Sequence, residues 1–295
     1  MEKSAMITIC GRPNVGKSTL TNALVGEKIA IVSDKPQTTR NRITAIVEHG
    51  ETQLVLIDTP GFHKPRTRLG DYMVNVVSQS VADVDLVLLL VEPVAEIGKQ
   101  EEGLIARLRE TGAPAVLVIN KIDTVERPRL LEVMALYSAA YDFGAIIPIS
   151  AKTGEGIPEL LDEMEKYAVE GPHLFPDDMI TDQPERQICA ELVREKLLKC
   201  LDKEIPHGTA VEVTRFTERD NGIIDLEVTI YCEKDSHKGI IIGKKGAMLK
   251  RIGELARKDI EEFMGTKVNL QTWVKVKENW RDSTSLLRNF GFKNE

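Results

Sequence analysis

The sequence predicts a mostly parallel β-sheet with helices on both faces, followed by a smaller α+β domain. Three observations carry this expectation. Over the first 170 residues, short apolar runs alternate with segments of helical spacing, the pattern of a layered α/β fold. In "EGPHLFPDDMITDQPE", Pro172, Pro176 and Pro184 stand among acids and break any helix. Beyond that stretch the order becomes helix, strand, strand, a glycine-punctuated helical region, and strand. The expected organisation is a first domain over 1–170, a linker over 171–184 and a second domain with a C-terminal tail over 185–295.

The elements follow in order. "AMITIC" is a short strand that ends at a glycine-rich loop, and Lys17–Val25 has Leu20, Ala23 and Leu24 on one helical face. "RITAIVEH" and "TQLVLID" read as a hairpin around Gly50 and Glu51. "DLVLLLV", "PAVLVIN" and "AIIPIS" are apolar without alternation, as in strands buried on both faces. Between them "EEGLIARLRET" and "RLLEVMALYSAAY" have helical spacing. In the second domain "RQICAELVREKLLKCLDKE" predicts a helix, while "TAVEVTRFT", "IIDLEVTIYCE" and "KVNLQTWVKVK" predict strands.

Composition narrows the function classes. The chain has 295 residues and a net charge of −7, which argues against a protein coated in nucleic acid. The charge is uneven: residues 181–295 sum to +1 and residues 1–180 to −8. Cys10, Cys189, Cys200 and Cys232 form no Cys-x-x-Cys pair, so reduced thiols are expected, with no zinc site or disulfide. The longest apolar run, "VDLVLLLVEPV", is about half of what a membrane span needs. No signal peptide precedes it, since the run before Gly11 is too short for an apolar signal core. A cytoplasmic protein is expected.

Four motifs fall at strand ends, where open α/β sheets bind ligands. "GRPNVGKS" (Gly11 to Ser18) is a phosphate-binding loop. Its glycines let backbone N–H groups turn toward a phosphate. Gly11, Asn14, Val15, Gly16, Lys17, Ser18 and Thr19 form the expected cradle, with Lys17 on the β- and γ-phosphates and Ser18 on Mg²⁺. "DTPGF" supplies Asp58 for Mg²⁺ and the Gly61 N–H for the γ-phosphate, with Thr59, Pro60 and Phe62 around them. "NKID" supplies Asp123, whose carboxylate can accept from both N1–H and the 2-amino group of guanine. Adenine cannot make that pair, and such a site discriminates strongly. Asn120 braces the loop and the Lys121 stem covers the base. "SAK" (Ser150, Ala151, Lys152) places the Ala151 N–H for guanine O6. Together these predict GTP and GDP as ligands. Lys17, Thr39, Asp58 and Gly61 are the residues expected to act on the transferred phosphate.

The order and spacing resemble the translation-factor-related GTPases, and "QTTR" matches their switch I. That segment comprises Gln37, Thr38, Thr39, Arg40 and Asn41. One of Thr38 and Thr39, with Thr39 preferred, completes the Mg²⁺ shell, which demands filled octahedral positions.

The second domain carries a basic run. Lys238, Lys244, Lys245, Lys250, Arg251, Arg257 and Lys258 face Glu254 as the single acid between 238 and 258. Within it Gly243-Lys244-Lys245-Gly246 precedes a helix, and a Gly-x-x-Gly loop lets backbone approach a nucleic-acid strand. The α-β-β-α-α-β order is that of a type II KH fold. Lys238, Gly243, Lys244, Lys245, Gly246, Lys250 and Arg251 are the expected RNA contacts, and Ile240, Ile241, Ile242, Leu249 and Ile252 an apolar wall for bases.

The whole chain resembles the bacterial Era GTPases, through "GRPNVGKST", "QTTR", "DTPGF", "NKID", "SAK", "GKKG" and "VKVKENW". The resemblance implies slow GTP hydrolysis, binding to the 3′ region of small-subunit ribosomal RNA during 30S maturation, and a monomer. It also implies a cytoplasmic site with peripheral membrane contact, and no DNA. Phe62 stands where Ras-type enzymes orient water with glutamine. In some relatives with the residue corresponding to Asn14, K⁺ supplies the charge of an arginine finger. An alternative of a different class remains, a switch whose KH-like fold only docks proteins.

Overall fold

The computed structural model describes residues 1–35, 37–61, 67–80 and 84–292. Phe62 lies outside them. The first part of the chain forms β1 (Lys3–Cys10), α1 (Lys17–Val25), β2 (Ile43–His49), β3 (Thr52–Asp58), α2 (Arg68–Ser80), β4 (Leu86–Val91) and α3 (Lys99–Thr111). It continues through β5 (Ala115–Ile119), α4 (Arg127–Ala140), β6 (Ala145–Pro148), α5 (Ile157–Glu165) and the two-residue β7 (Val169–Glu170). The sheet order is β2-β3-β1-β4-β5-β6, with β7 on β1. Only β2 and β7 run antiparallel to their partners.

The unbroken apolar strands are explained by burial on both faces. In β4, Leu86, Leu88 and Leu90 pack with Leu20, Leu24 and Leu160. Val87, Leu89 and Val91 point the other way, with Leu104, Leu108 and Tyr137. The β1, β3, β4, β5 and β6 chain direction brings their carboxyl ends to one edge, so the loops after them form one rim.

By packing, the chain divides into two units: Met1–Ala30, Thr39–Lys64 and Met73–Asp182 in one, and Ile31–Thr38, Pro65–Tyr72 and Gln183–Glu295 in the other. Residues 171–182 are not free chain. Leu174 N–H and Phe175 N–H donate to Gln53 Oε1, and Ile46 N–H donates to Ile180 O at 2.9 Å.

The second unit contains α6 (Glu185–Cys200), β8 (Ala210–Glu218), β9 (Ile224–Cys232), α7 (Asp235–Ile242), α8 (Ala247–Met264), β10 (Val268–Val276) and α9 (Thr284–Asn289). Its sheet order is β10-β9-β8, parallel between β10 and β9 and antiparallel between β9 and β8. This is the expected α-β-β-α-α-β order. Ile188, Leu192, Leu197, Leu226, Val228, Ile252 and Ile260 form its core. The tail closes it: Trp280 is fully buried, donates from Nε1 to Gly208 O, and packs against Phe290 and Phe292.

Over Leu192–Leu198 helix α6 is buried on every side, its polar residues included. Arg194, Glu195 and Lys196 are 2%, 0% and 5% exposed. Residues 31–38 cover them: Val32 N–H donates to Glu195 Oε1 at 3.0 Å, Arg194 Nη2 donates to Thr38 O, and Lys35 Nζ donates to Leu201 O. Glu195 also pairs with Lys196 and Lys199. Among the described residues no helix is long and apolar enough to cross a membrane. Cys10, Cys189 and Cys232 are buried and Cys200 half-buried, all as free thiols.

Candidate functional site

The loop after β1 wraps back on itself. Lys17 is buried, and its Nζ donates to the carbonyls of Gly11 and Arg12 at 3.0 and 3.1 Å. Burial lowers its pKa, with Asp58 pulling it back up. Val15 is fully buried beneath the loop, and Gly16 caps the start of α1 with φ 103. Asn14 has φ 65, a left-handed conformation that asparagine tolerates. Thr19 lies in the first turn of α1.

Three oxygens converge beside Lys17. Ser18 Oγ lies 2.8 Å from Asp58 Oδ2 and 2.8 Å from Thr39 Oγ1. Asp58 is fully buried, and burial pushes its carboxyl up to about 6 against the pull of Lys17 and Ser18. Its second oxygen, Oδ1, is buried without a hydrogen-bond partner. A hard divalent cation fits this donor set, since it would satisfy that oxygen and offset the desolvated charge. Of the two switch threonines, Thr39 joins the cluster. Thr38 turns its hydroxyl to Lys35 O at 2.6 Å instead. Gln37 and Asn41 are half-buried and Arg40 is buried. Gly61 lies against the phosphate loop, where a Cβ would stand 2.9 Å from Pro13 Cα. Thr59 is a tie between strands, donating to Ile9 O at 2.9 Å, and Pro60 is buried beside it.

The base end is built by side chains that hold loops. Asn120 is 2% exposed; its Nδ2 donates to Val15 O at 2.8 Å and its Oδ1 accepts from Ala151 N–H at 2.9 Å. Ser150 Oγ donates to Asp123 Oδ1 at 2.7 Å and so aims a carboxylate that is otherwise exposed. The Ala151 N–H, the donor expected for guanine O6, donates in this structure to Asn120 Oδ1, and Lys152 beside it is exposed.

Sequence reasoning missed a set of charged side chains here. Glu92, just past β4, accepts from Arg12 through Oε2 and from Lys121 through Oε1. Arg12 Nε lies 3.4 Å from Oε1 of Glu101, itself 4% exposed, and Lys121 Nζ donates to Asn14 O at 2.7 Å. Burial raises Glu92, but Lys121 and Arg12 outweigh it and hold the carboxyl below the usual range. A glutamate ending a fully buried strand was the available signal.

In the second unit, Gly243 to Gly246 joins α7 to α8. Lys244 and Lys245 are exposed, as are Lys250 and Arg251 one turn on, while Lys238 is half-buried. Gly243 has φ 71, and a Cβ there would meet Met248 Cβ at 2.7 Å, so the loop requires glycine. The apolar wall is smaller than expected. Ile241 and Ile252 are 0% exposed and belong to the core, because the helices turn those positions onto the sheet. Ile240, Ile242 and Leu249 remain.

Comparison with known proteins gives a consistent picture. Residues 6–121 match a family described as 50S ribosome-binding GTPase, and residues 204–281 match the KH domain. The chain is 53% identical over 291 residues to GTPase Era of Ruminiclostridium cellulolyticum, covering 99% of this chain and 98% of that protein. It is 52% identical to GTPase Era of Clostridium kluyveri, over 99% of this chain and all of the relative. Among solved structures, a variant of Aquifex aeolicus Era bound to GDP and AlF4⁻ superposes with a TM-score of 0.95 at 36% identity, over 99% of this chain and 100% of the other. An Era complex with MgGDPNP and nucleotides 1506–1542 of 16S ribosomal RNA gives 0.93 at 36% identity, over the full length of both chains.

Proposed function

The chain belongs to the Era GTPase family, and from that premise we propose that it is a GTP-driven switch that binds the 3′ region of small-subunit ribosomal RNA during 30S maturation. The observation that supports this is that Lys17, Ser18, Asp58, Asn120, Asp123 and Ser150 meet at one edge of the sheet, in a chain that also presents an exposed Gly-Lys-Lys-Gly loop.

Asp123, aimed by Ser150, reads N1–H and the 2-amino group, and Asn120 keeps the base loop on the phosphate loop. Lys17 exchanges its carbonyl partners for phosphate oxygens, and Gly61 offers its N–H to the γ-phosphate. Ser18, Thr39 and Asp58 would hold Mg²⁺, which when bound neutralises charge on the phosphates. Phe62 stands where Ras-type enzymes orient water with glutamine, so the protein's own turnover is slow. We assign K⁺ to the Asn14 side-chain amide, whose backbone carbonyl already accepts from Lys121. Faster hydrolysis in KCl than in NaCl supports that assignment, and equal rates refute it.

On the RNA side, Lys244 and Lys245 supply charge-assisted contacts to phosphates while backbone at Gly243 and Gly246 approaches the strand. The family also leads us to place the protein in the cytoplasm as a monomer, with peripheral membrane contact. We keep 1–170 as the GTPase domain, 171–184 as the connection and 185–295 as the KH domain with its tail.

The test is binding to a 3′ small-subunit rRNA fragment, with GTP or GDP, across a salt series. Charge reversal at Lys244 and Lys245 is expected to abolish binding and flatten the salt slope. Unchanged RNA binding, or tight RNA-independent capture of a protein partner by the same surface, overturns the RNA reading.

A further inference from the structure

Four side chains form a chain of alternating charge: Glu101, Arg12, Glu92 and Lys121. It starts in the first turn of α3, passes through the phosphate loop and the end of β4, and ends in the base loop. Glu92 is its centre because it spends one oxygen on each loop. Arg12 stands between Gly11 and the rest of the phosphate loop, and Lys121 adopts φ 65 in the base loop. The Glu92 side chain is 25% exposed and Glu101 5%. These pairs are thus shielded from full solvent screening, unlike most surface ion pairs.

Such a carboxylate couples two loops that must both loosen before a nucleotide can leave. Displacing Lys121 leaves Glu92 with Arg12 alone and takes the donor from the Asn14 carbonyl. Displacing the phosphate loop leaves the same carboxylate with Lys121 alone and takes Asn14 O from Lys121. Neither loop moves without costing the other its partner.

We propose that Glu92 is a positioning residue that fixes the phosphate loop to the base loop and thereby sets how long a guanine nucleotide stays bound. The inference rests on reading this rim as a guanine-nucleotide site. It adds Glu92, Arg12 and Glu101, which the sequence motifs assign to neither phosphate nor base.

The experiment uses the full chain and a fluorescent N-methylanthraniloyl GDP, chased with excess GDP. Glu92→Gln keeps the shape and removes the charge, Arg12→Met removes the phosphate-loop partner, and the double variant closes a cycle. Each single change is expected to speed release on the order of tenfold, equivalent to about 1.4 kcal/mol. The double variant should release no faster than the faster single, and the KM for GTP should rise more than kcat falls. Glu92→Asp, too short to reach both cations, should be intermediate. Release within twofold of wild type in Glu92→Gln, or multiplication of the two single effects, overturns the proposal. If Glu92→Gln does not fold, Arg12→Met and Glu92→Asp decide by the same criteria. Failure of wild-type protein to bind the labelled GDP would instead overturn the guanine reading itself.

Discussion

Replacing Asn120 with alanine tests whether the base loop is a structural strut before it is a recognition element. The side chain is buried and makes two hydrogen bonds, to Val15 O at 2.8 Å and from Ala151 N–H at 2.9 Å. Alanine leaves a buried carbonyl and a buried N–H unpaired. Each such orphan costs about 1–3 kcal/mol, so two cost about 2–6 kcal/mol. A water entering the vacated volume would bond both groups and bring the cost to the lower end, about 2–3 kcal/mol. That is a large share of the roughly 5–15 kcal/mol available to a domain. The assay has a built-in control. The protein has two tryptophans, Trp273 and Trp280, and both lie in the second unit. Urea unfolding of nucleotide-free protein should shift by at least 2 kcal/mol in the far-UV circular dichroism transition of the first unit. The tryptophan fluorescence transition should stay put. A circular dichroism shift below 0.5 kcal/mol, outside the ~1 kcal/mol expected even of one lost bond, would refute the strut.

Three other outcomes follow from the same geometry. Glu195→Ala removes a fully buried carboxylate from Lys196, Lys199 and the Val32 N–H, so the tryptophan transition should fall by about 3–5 kcal/mol, and endoproteinase Asp-N should cut faster before Asp34. Gly243→Ala forces a left-handed φ on alanine and drives Cβ to 2.7 Å from Met248 Cβ; RNA-fragment binding should drop at least tenfold in filter binding while GDP affinity is unchanged. Asp58 has a carboxyl raised to about 6 by burial, so protons compete with Mg²⁺ below that pH. Mg²⁺-dependent GTP affinity, followed by titration calorimetry from pH 7.5 to 5, should be flat above about 6.5 and fall about tenfold per pH unit below 6. For the metal-free fold the sign is opposite. A carboxyl raised above its unfolded value of 3.8 binds its proton first in the folded state, so this group favours folding as pH drops from above 6 toward 4.

Much of the fold was legible because local pattern and tertiary role agree. Gly11 to Ser18, Asp58, Asn120 and Ser150 sit at strand ends, and the strands are apolar runs with nothing else to be. What could not be read was what depends on distant partners. Thr38 and Thr39 are chemically identical, and the choice between them is made by Lys35 O and Ser18. Arg194, Glu195 and Lys196 look like the solvated face of an ordinary helix. They are buried because residues 31–38, more than 150 positions away, lie over them. Ile241 and Ile252 read as groove lining and prove to be core, since a helix rotated by one position exchanges the two roles.

The covering of α6 by residues 31–38 has a consequence for biosynthesis. The ribosome makes Ile31–Thr38 early and Arg194 and Glu195 late, so for most of synthesis the segment lacks the groups that anchor its backbone. Thr39, the next residue, reaches Ser18 from a tether still loose at one end. A nascent or truncated chain ending near Asp182 can complete the first sheet and its loops. It cannot hold the stretch that leads into Thr39, and it loses both tryptophans as well. GTP turnover measured on such a fragment describes an immature state. The enzyme's own rate belongs to the chain that has been finished.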